Sequence, residues 1–320
     1  MRVKSFLLPG ILLLFFCLVF TAPGFSQYRE YYVYGKVVDT DNKPLAKVEI
    51  RLQDTNTSRS YKVITNKKGD FKLVGIPHGI YQATIKKEGY KTVTAEWNFA
   101  SPQDRIQKVE IETIVMVSEE QILRVERAKQ AQAEFNEATA KVQQGDFEGA
   151  ITILKKMIED NPEDANAYYL LGISYLKKGM LPEAAKALTR TLVLFPKFAG
   201  AYHHLGLISK EQKELEKAIQ YYEKALELEP KRVDSLYNIG LILFELNRIP
   251  EASSYLERAL VINPDDAEIL EMAGRCRIHQ GDYAQAIEYL EKAKQRNSDQ
   301  EKIKFLEDLI GKLKQLLEEQ

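Results

Sequence analysis

The chain has 320 residues, enough for two or three domains. Apolar residues make up 45% and charged residues 28%, the ordinary mix of soluble globular material. The formal net charge of −1 excludes the strong basic excess of a nucleic-acid binder, and neither half supplies it: residues 27–117 hold 15 basic and 11 acidic residues, and residues 118–320 hold 28 and 35.

The first stretch reads MRVKSFLLPGILLLFFCLVFTAPGFSQ. Arg2 and Lys4 are unbalanced by acids, an apolar run follows from Phe6 to Phe20, and small, turn-prone residues close it. That run falls short of the roughly 20 residues that a spanning helix needs. This order of regions is that of a secretory signal peptide over residues 1–26, cut after Ser26, with Gly24 two places before the cut. The expectation is export, to the periplasm or cell envelope of a bacterium, with no transmembrane segment in the mature chain. The alternative is anchorage by an uncleaved N-terminal segment. Cys17 makes a poor lipid-anchor site behind the bulky Phe15 and Phe16. With Cys17 removed, Cys276 stands alone, so no internal disulfide forms. It reads as a buried structural thiol, with a reactive thiol as the alternative.

Within residues 27–117, the hydrophobic period is two from Tyr31 to Val117. In VEIRLQ, Val48, Ile50 and Leu52 face one way and Glu49, Arg51 and Gln53 the other; YQATIK and KVEIE repeat the pattern. Turn signals (DTDNKP, DTNTS, NKKGD, IPHG) divide about seven strands, which predicts an antiparallel β-sandwich. The stretches GKVVDTDNKPLAKVEIRL and TNKKGDFKLVGIPHGIYQATIKKEGYKT resemble the carboxypeptidase regulatory-like domain, a transthyretin-like sandwich. Gly35, Pro44-Leu45, Gly69-Asp70-Phe71, Pro77, Gly79-Ile80-Tyr81 and Gly89-Tyr90 carry the resemblance, which covers most of this part of the chain. Related sandwiches sometimes bind glycans, so the resemblance gives Trp97, with Phe99 nearby, a reading as a glycan-stacking contact; core or edge packing is the competing use. Asp39, Asp41, Asn42 and Asp70 are oxygen donors of the kind calcium takes, but D-x-D-N is also what a hairpin turn needs, and no metal is assigned.

Ser118 with Gln121 three places later forms a capping box, so a helical linker is expected over 118–130. Beyond it one motif recurs: GAITILKKMIEDNP from 149, EAAKALTRTLVLFP from 183, KAIQYYEKALELEP from 217, EASSYLERALVINP from 251 and QAIEYLEKAKQRNS from 285, always at the same step. A second echo lies between them, at 167, 201, 235 and 269. A fixed period of this length marks a solenoid of helical hairpins. The pattern closely resembles the tetratricopeptide repeat, with five units over 131–300. Small residues (Gly172, Gly206, Gly240, Gly274; Ala150, Ala184, Ala218, Ala252, Ala286) fall where helices cross closely. Pro162, Pro196, Pro230 and Pro264 stop each second helix. The first unit is polar at Glu134, Glu137 and Lys141, as a terminal cap should be. Residues 301–320 carry one apolar stripe and read as a closing helix. The fold class is therefore α+β multidomain, an N-terminal β-sandwich followed by an all-α solenoid.

H-E-x-x-H, G-x-S-x-G, G-x-x-x-x-G-K-[ST] and C-x-x-C are all missing from the sequence. His203 and His204 are adjacent on a helix, so their side chains diverge. No enzyme activity and no cofactor are expected. In the repeats that this chain resembles, the first helix of each unit lines the concave face. That implies a peptide-binding groove of Tyr169, Ile173, Leu176 and Lys177, then His203, Leu207 and Lys210, then Tyr237, Leu241 and Phe244, with Glu245, and finally Arg275, with Glu271 and His279. A file so apolar and aromatic suits a protein or peptide segment. The expected function is an exported, non-enzymatic adaptor or scaffold. The alternative is a carbohydrate-binding sandwich with the repeats as spacer or oligomerisation arm.

Overall fold

The computed structural model describes residues 2–3, 30–99 and 106–319, and the chain divides into two compact units, 1–130 and 131–320. Apart from Arg2 and Val3, the expected signal peptide lies outside the described residues.

The strands of the first unit are β1 (Arg2–Val3), β2 (Glu30–Asp39), β3 (Glu49–Asp54), β4 (Ser60–Ile64), β5 (Asp70–Pro77), β6 (Gly79–Lys86), β7 (Val93–Phe99), β8 (Ile106–Ile111) and β9 (Ile114–Met116). They form two sheets. One has the order β1-β8-β2-β5, with β9 also on β2, and the other β4-β3-β6-β7. The alternation in the sequence sets the two faces: Ile50 and Leu52 are buried while Arg51 and Gln53 are exposed, and Tyr81, Ala83 and Ile85 are buried beside the exposed Gln82 and Lys86. The second sheet is antiparallel throughout. The first is mixed, because β8 and β9 both run parallel to β2. They rejoin that sheet after β7 of the opposite one, and a strand arriving by crossover is free of the hairpin constraint that forces antiparallel pairing.

Aromatic rings fill the space between. Phe71 stacks on Trp97 at 6.2 Å between centroids, and Phe99 meets Tyr31 at 5.2 Å and Tyr81 at 5.6 Å. The Tyr81 hydroxyl donates to Pro77 O at 3.0 Å. The acidic turn closes on itself: Asp39 Oδ1 accepts from the backbone N–H groups of Asp41 (2.9 Å) and Lys43 (2.8 Å), and Asn42 takes φ +62°. Helix α1 (Glu119–Gln143) starts at the capping box, where the Gln121 N–H donates to Ser118 Oγ at 3.1 Å and Gln121 Nε2 donates to Thr40 Oγ1 at 2.7 Å. The division between the units falls inside this helix.

The second unit continues with α2 (Phe147–Asp160), α3 (Ala165–Lys177), α4 (Leu181–Leu194), α5 (Ala199–Glu211), α6 (Leu215–Leu228), α7 (Val233–Glu245), α8 (Ile249–Ile262), α9 (Ala267–His279), α10 (Tyr283–Arg296) and α11 (Gln300–Glu318). Helices α2, α4, α6 and α8 each stop two residues before a proline. A proline disfavours helical backbone in the residue before it and supplies no N–H to continue the ladder. The glycines of the first helices make the close crossings. A Cβ on Gly172, Gly206, Gly240 or Gly274 would lie 2.7 Å from Leu188 Cγ, 2.7 Å from Tyr222 Cε1, 2.8 Å from Leu256 Cγ or 2.9 Å from Leu290 Cδ2. The four hairpins from α3 to α10 are thus seamed by a glycine on the first helix and a large side chain on the second, while the first hairpin has the small Ala138 at that place. The hairpins bury apolar clusters against their neighbours, as in the core running from Ala218 of α6 to Cys276 of α9.

Candidate functional site

Because the period is constant, the first helices repeat one register. Tyr169, His203, Tyr237 and Glu271 share one position on α3, α5, α7 and α9. Ile173, Leu207, Leu241 and Arg275 share the next, one turn on, and Leu176, Lys210 and Phe244 the one after. Tyr169, Ile173, Leu176, Leu207, Lys210, Tyr237, Leu241, Phe244 and Arg275 are partly exposed, and Lys177 is more open still.

Two of the expected contacts are corrected. His203 is buried at 5% exposure. The small Ser235 on α7 leaves room for its ring, with His203 Nδ1 2.8 Å from Ser235 Oγ. Trp97 is 9% exposed and packed into the sandwich core against Phe71 and Phe99, so no stacking face is left for a sugar. Of the residues flanking the groove file, Glu271 is also buried, at 7%.

An open pocket of about 390 Å³ gathers five of the expected residues, Lys210 of α5, Leu241, Phe244 and Glu245 of α7 and Arg275 of α9. Lys213 and Met272 also line it, and neither was expected. Lys213 left a trace in the sequence. The equivalent place in other units is Gly145, Gly179 or Gly281, all at positive φ, whereas Lys213 holds φ +62° and Asn247 +59°. Tyr169 lies apart from the pocket, on Phe198 at 4.5 Å and His204 at 5.6 Å between ring centroids.

The polar groups are tied down. Lys210 Nζ donates to Asn238 Oδ1 at 2.7 Å, and Arg275 Nη2 donates to Glu271 Oε1 at 2.6 Å. Phe244 stands edge-on to His279 at 5.0 Å. Burial, with nearby Glu268, Glu271 and Asp266, pushes the Tyr237 hydroxyl up to about 12 and keeps it a neutral donor. Burial pushes His203 and His204 down to about 4, helped by Arg232 and by Lys210 or Lys177. The ensemble is an apolar floor of Leu241, Phe244 and Met272 with a rim of mixed charge, Lys210, Lys213 and Arg275 beside Glu211 and Glu245. Among the described residues, no cluster of three or more His, Cys, Asp or Glu is placed to hold a metal, and no helix is long and apolar enough to cross a membrane.

The architecture is that of a helical-repeat protein with a β-sandwich in front. Comparison with known families gives the particulars. Residues 32–112 match the carboxypeptidase regulatory-like domain, residues 141–205 the tetratricopeptide repeat, and residues 211–293 the anaphase-promoting complex, cyclosome, subunit 3. These matches give the chain a carboxypeptidase regulatory-like domain followed by tetratricopeptide repeats.

Among solved structures, PilF of Pseudomonas aeruginosa is 21% identical with a TM-score of 0.55, over 59% of this chain and 86% of PilF, a likeness of fold. MamA is 26% identical with a TM-score of 0.46, over 50% of this chain and 93% of that one. YrrB, described as a TPR protein with an unusual peptide-binding site, is 22% identical with a TM-score of 0.47, over 58% and 97%. No curated protein sequence matches the chain.

Proposed function

We propose that this protein is a non-enzymatic interaction scaffold, exported by its N-terminal segment up to Ser26, whose repeat array holds a protein segment along the faces of α3, α5, α7 and α9. The observation that carries the reading is the pocket where Lys210, Leu241, Phe244 and Arg275 converge from three successive first helices. Apolar side chains left partly open in one row, with cations fixed beside them, are what an anchor residue of an extended or helical peptide needs. Lys210 and Arg275 are hydrogen-bonded or ion-paired to their own neighbours, so they are pre-positioned to bind.

The test is affinity capture from an envelope extract with the full chain, alongside Tyr237→Ala and Phe244→Ala. Both side chains are partly exposed, so the variants should fold. The expected result is a partner retained by the parent chain and lost from the variants. A partner held equally well by all three would overturn this groove.

A further inference from the structure

The turn between β3 and β4 reads Asp54-Thr55-Asn56-Thr57-Ser58-Arg59. Asn56-Thr57-Ser58 is the one place in the sequence where serine or threonine stands two residues after an asparagine. The stretch from Thr55 to Ser60 is exposed throughout. It is held at its base and open at its tip. Thr55 donates to Ile80 O from its N–H at 2.9 Å and from its hydroxyl at 3.0 Å, and the Asp54 N–H donates to Arg59 O at 3.0 Å. Asp54 Oδ1 accepts from the N–H groups of Asn56 (2.8 Å) and Thr57 (3.2 Å). Asp54 therefore shapes the turn, and the Asn56 side chain has no part in it.

Every other loop asparagine among the described residues has a local task. Asn42 and Asn247 take left-handed backbone, at φ +62° and +59°, which asparagine tolerates better than most residues. Asn66, Asn161 and Asn297 accept through Oδ1 from the N–H groups of Lys68, Glu163 and Asp299. Asn263 Nδ2 donates to Asp266 Oδ2. Asn56 has no left-handed φ, and neither its carboxamide nor the Ser58 hydroxyl is hydrogen-bonded among the described residues. The turn does not need an asparagine here, yet it presents one to solvent with a free hydroxyl two residues on.

We propose that Asn56 is an N-glycosylation acceptor. An asparagine with serine or threonine two places later, on a surface loop of an exported protein, is the acceptor pattern of this modification. Asp54 adds an acid two places before the asparagine, a feature of such acceptors in bacteria. The co-reactant is an oligosaccharide carried on a polyisoprenyl pyrophosphate, delivered by an oligosaccharyltransferase. Asn56 Nδ2 forms a bond to the anomeric carbon, and the bond from that carbon to the pyrophosphate oxygen breaks. The lipid pyrophosphate leaves with the electron pair, and one amide proton passes to a base of the transferase. The site rests on the export reading above, because transfer takes place on the far side of the membrane. The glycan would stand beside β4, at the edge of its sheet, and shield that edge from pairing with another chain.

The experiment has two arms and uses the full chain, with Asn56→Gln, Ser58→Ala and Thr57→Ala beside the parent. In the first, the protein is purified from its own cells and the tryptic peptide between Arg51 and Arg59 is weighed by mass spectrometry, together with the N-terminal peptide. In the second, purified folded protein is incubated with bacterial membranes that hold an oligosaccharyltransferase and its lipid-linked donor. The expected result in both is a peptide heavier by a string of sugar residues in the parent and in Thr57→Ala, and unmodified in Asn56→Gln and Ser58→Ala. Transfer in the first arm alone supports the site and puts transfer before folding. Transfer in neither arm, or transfer that survives Ser58→Ala, would overturn the site. An unmodified cellular protein that has lost residues 1–26 would overturn it as a modification made in the cell. An unmodified cellular protein that keeps residues 1–26, with transfer in the second arm, would overturn the export reading and leave the acceptor standing.

Discussion

Tyr222 lies flat against the place where Gly206 has no side chain; a Cβ there would be 2.7 Å from the ring. The fit buries Tyr222 completely, and its hydroxyl has no hydrogen-bond partner among the described residues. Equivalent positions in neighbouring hairpins are Leu188, Leu256 and Leu290. A buried polar atom without a partner forfeits its hydration. Tyr222→Phe should therefore raise stability by about 1 kcal/mol, read as a shift in urea midpoint at constant m. A destabilised variant would show that the hydroxyl is satisfied in solution.

The paired imidazoles give the array an acid limit. His203 and His204 are held down to about 4 by burial, among Arg232, Lys210 and Lys177, with Asp234 the one acid opposing. In the unfolded chain they take protons near the ordinary histidine value, about 6.5. The unfolded state then binds more protons than the folded one, so stability falls as pH drops from about 6.5 to about 4 and this contribution levels off below that. The loss is on the order of 2–3 kcal/mol per imidazole. Urea titrations at pH 7 and pH 5 should differ clearly for the parent chain and much less for the double variant His203→Asn, His204→Asn. An equal pH dependence in both would rule out these two residues as its source.

Lys213 separates stability from binding. Lys213→Gly relieves a left-handed backbone at φ +62° and should stabilise by about 1 kcal/mol. The same change removes a rim cation from the pocket, so a partner captured through this groove should be held more weakly by the more stable protein. Thermal melts and affinity capture on one preparation read both. A variant that neither gains stability nor loses affinity would mean the lysine is a neutral passenger.

Cys276 is fully buried, and burial pushes its thiol up to about 11. Thiolate is the reactive form, so the native protein should resist thiol reagents at neutral pH and react at once in denaturant. Rapid labelling of the native protein at Cys276 would contradict the burial described here.

The repeat architecture could be read from the sequence because close helix crossings demand glycine, and glycine at a fixed interval is conspicuous. Gly172, Gly206, Gly240 and Gly274 mark the crossings that the structure shows. The burial of Trp97 was also legible, by parity: Val93, Ala95, Trp97 and Phe99 alternate with Thr94, Glu96 and Asn98, which puts the indole on the same side as Phe99. The resemblance to glycan-binding sandwiches points the other way. The burial of His203 was not legible, since it depends on the distant Ser235 being small enough to admit the ring. Nor was the pocket, which needs the separation of α5, α7 and α9 and a backbone twist at Lys213 that no periodicity reports. The mixed first sheet escaped for a related reason. Alternation gives the face on which a residue lies but not the direction in which its strand runs.

The glycine seams carry an evolutionary implication. Each joins two helices of the same hairpin, Gly172 to Leu188 or Gly240 to Leu256, so a duplicated or deleted hairpin brings its own clasp with it. A gene ruled at this interval can lengthen or shorten its array by whole modules, acquiring or shedding one row of first-helix side chains at a time while every other joint stays in step.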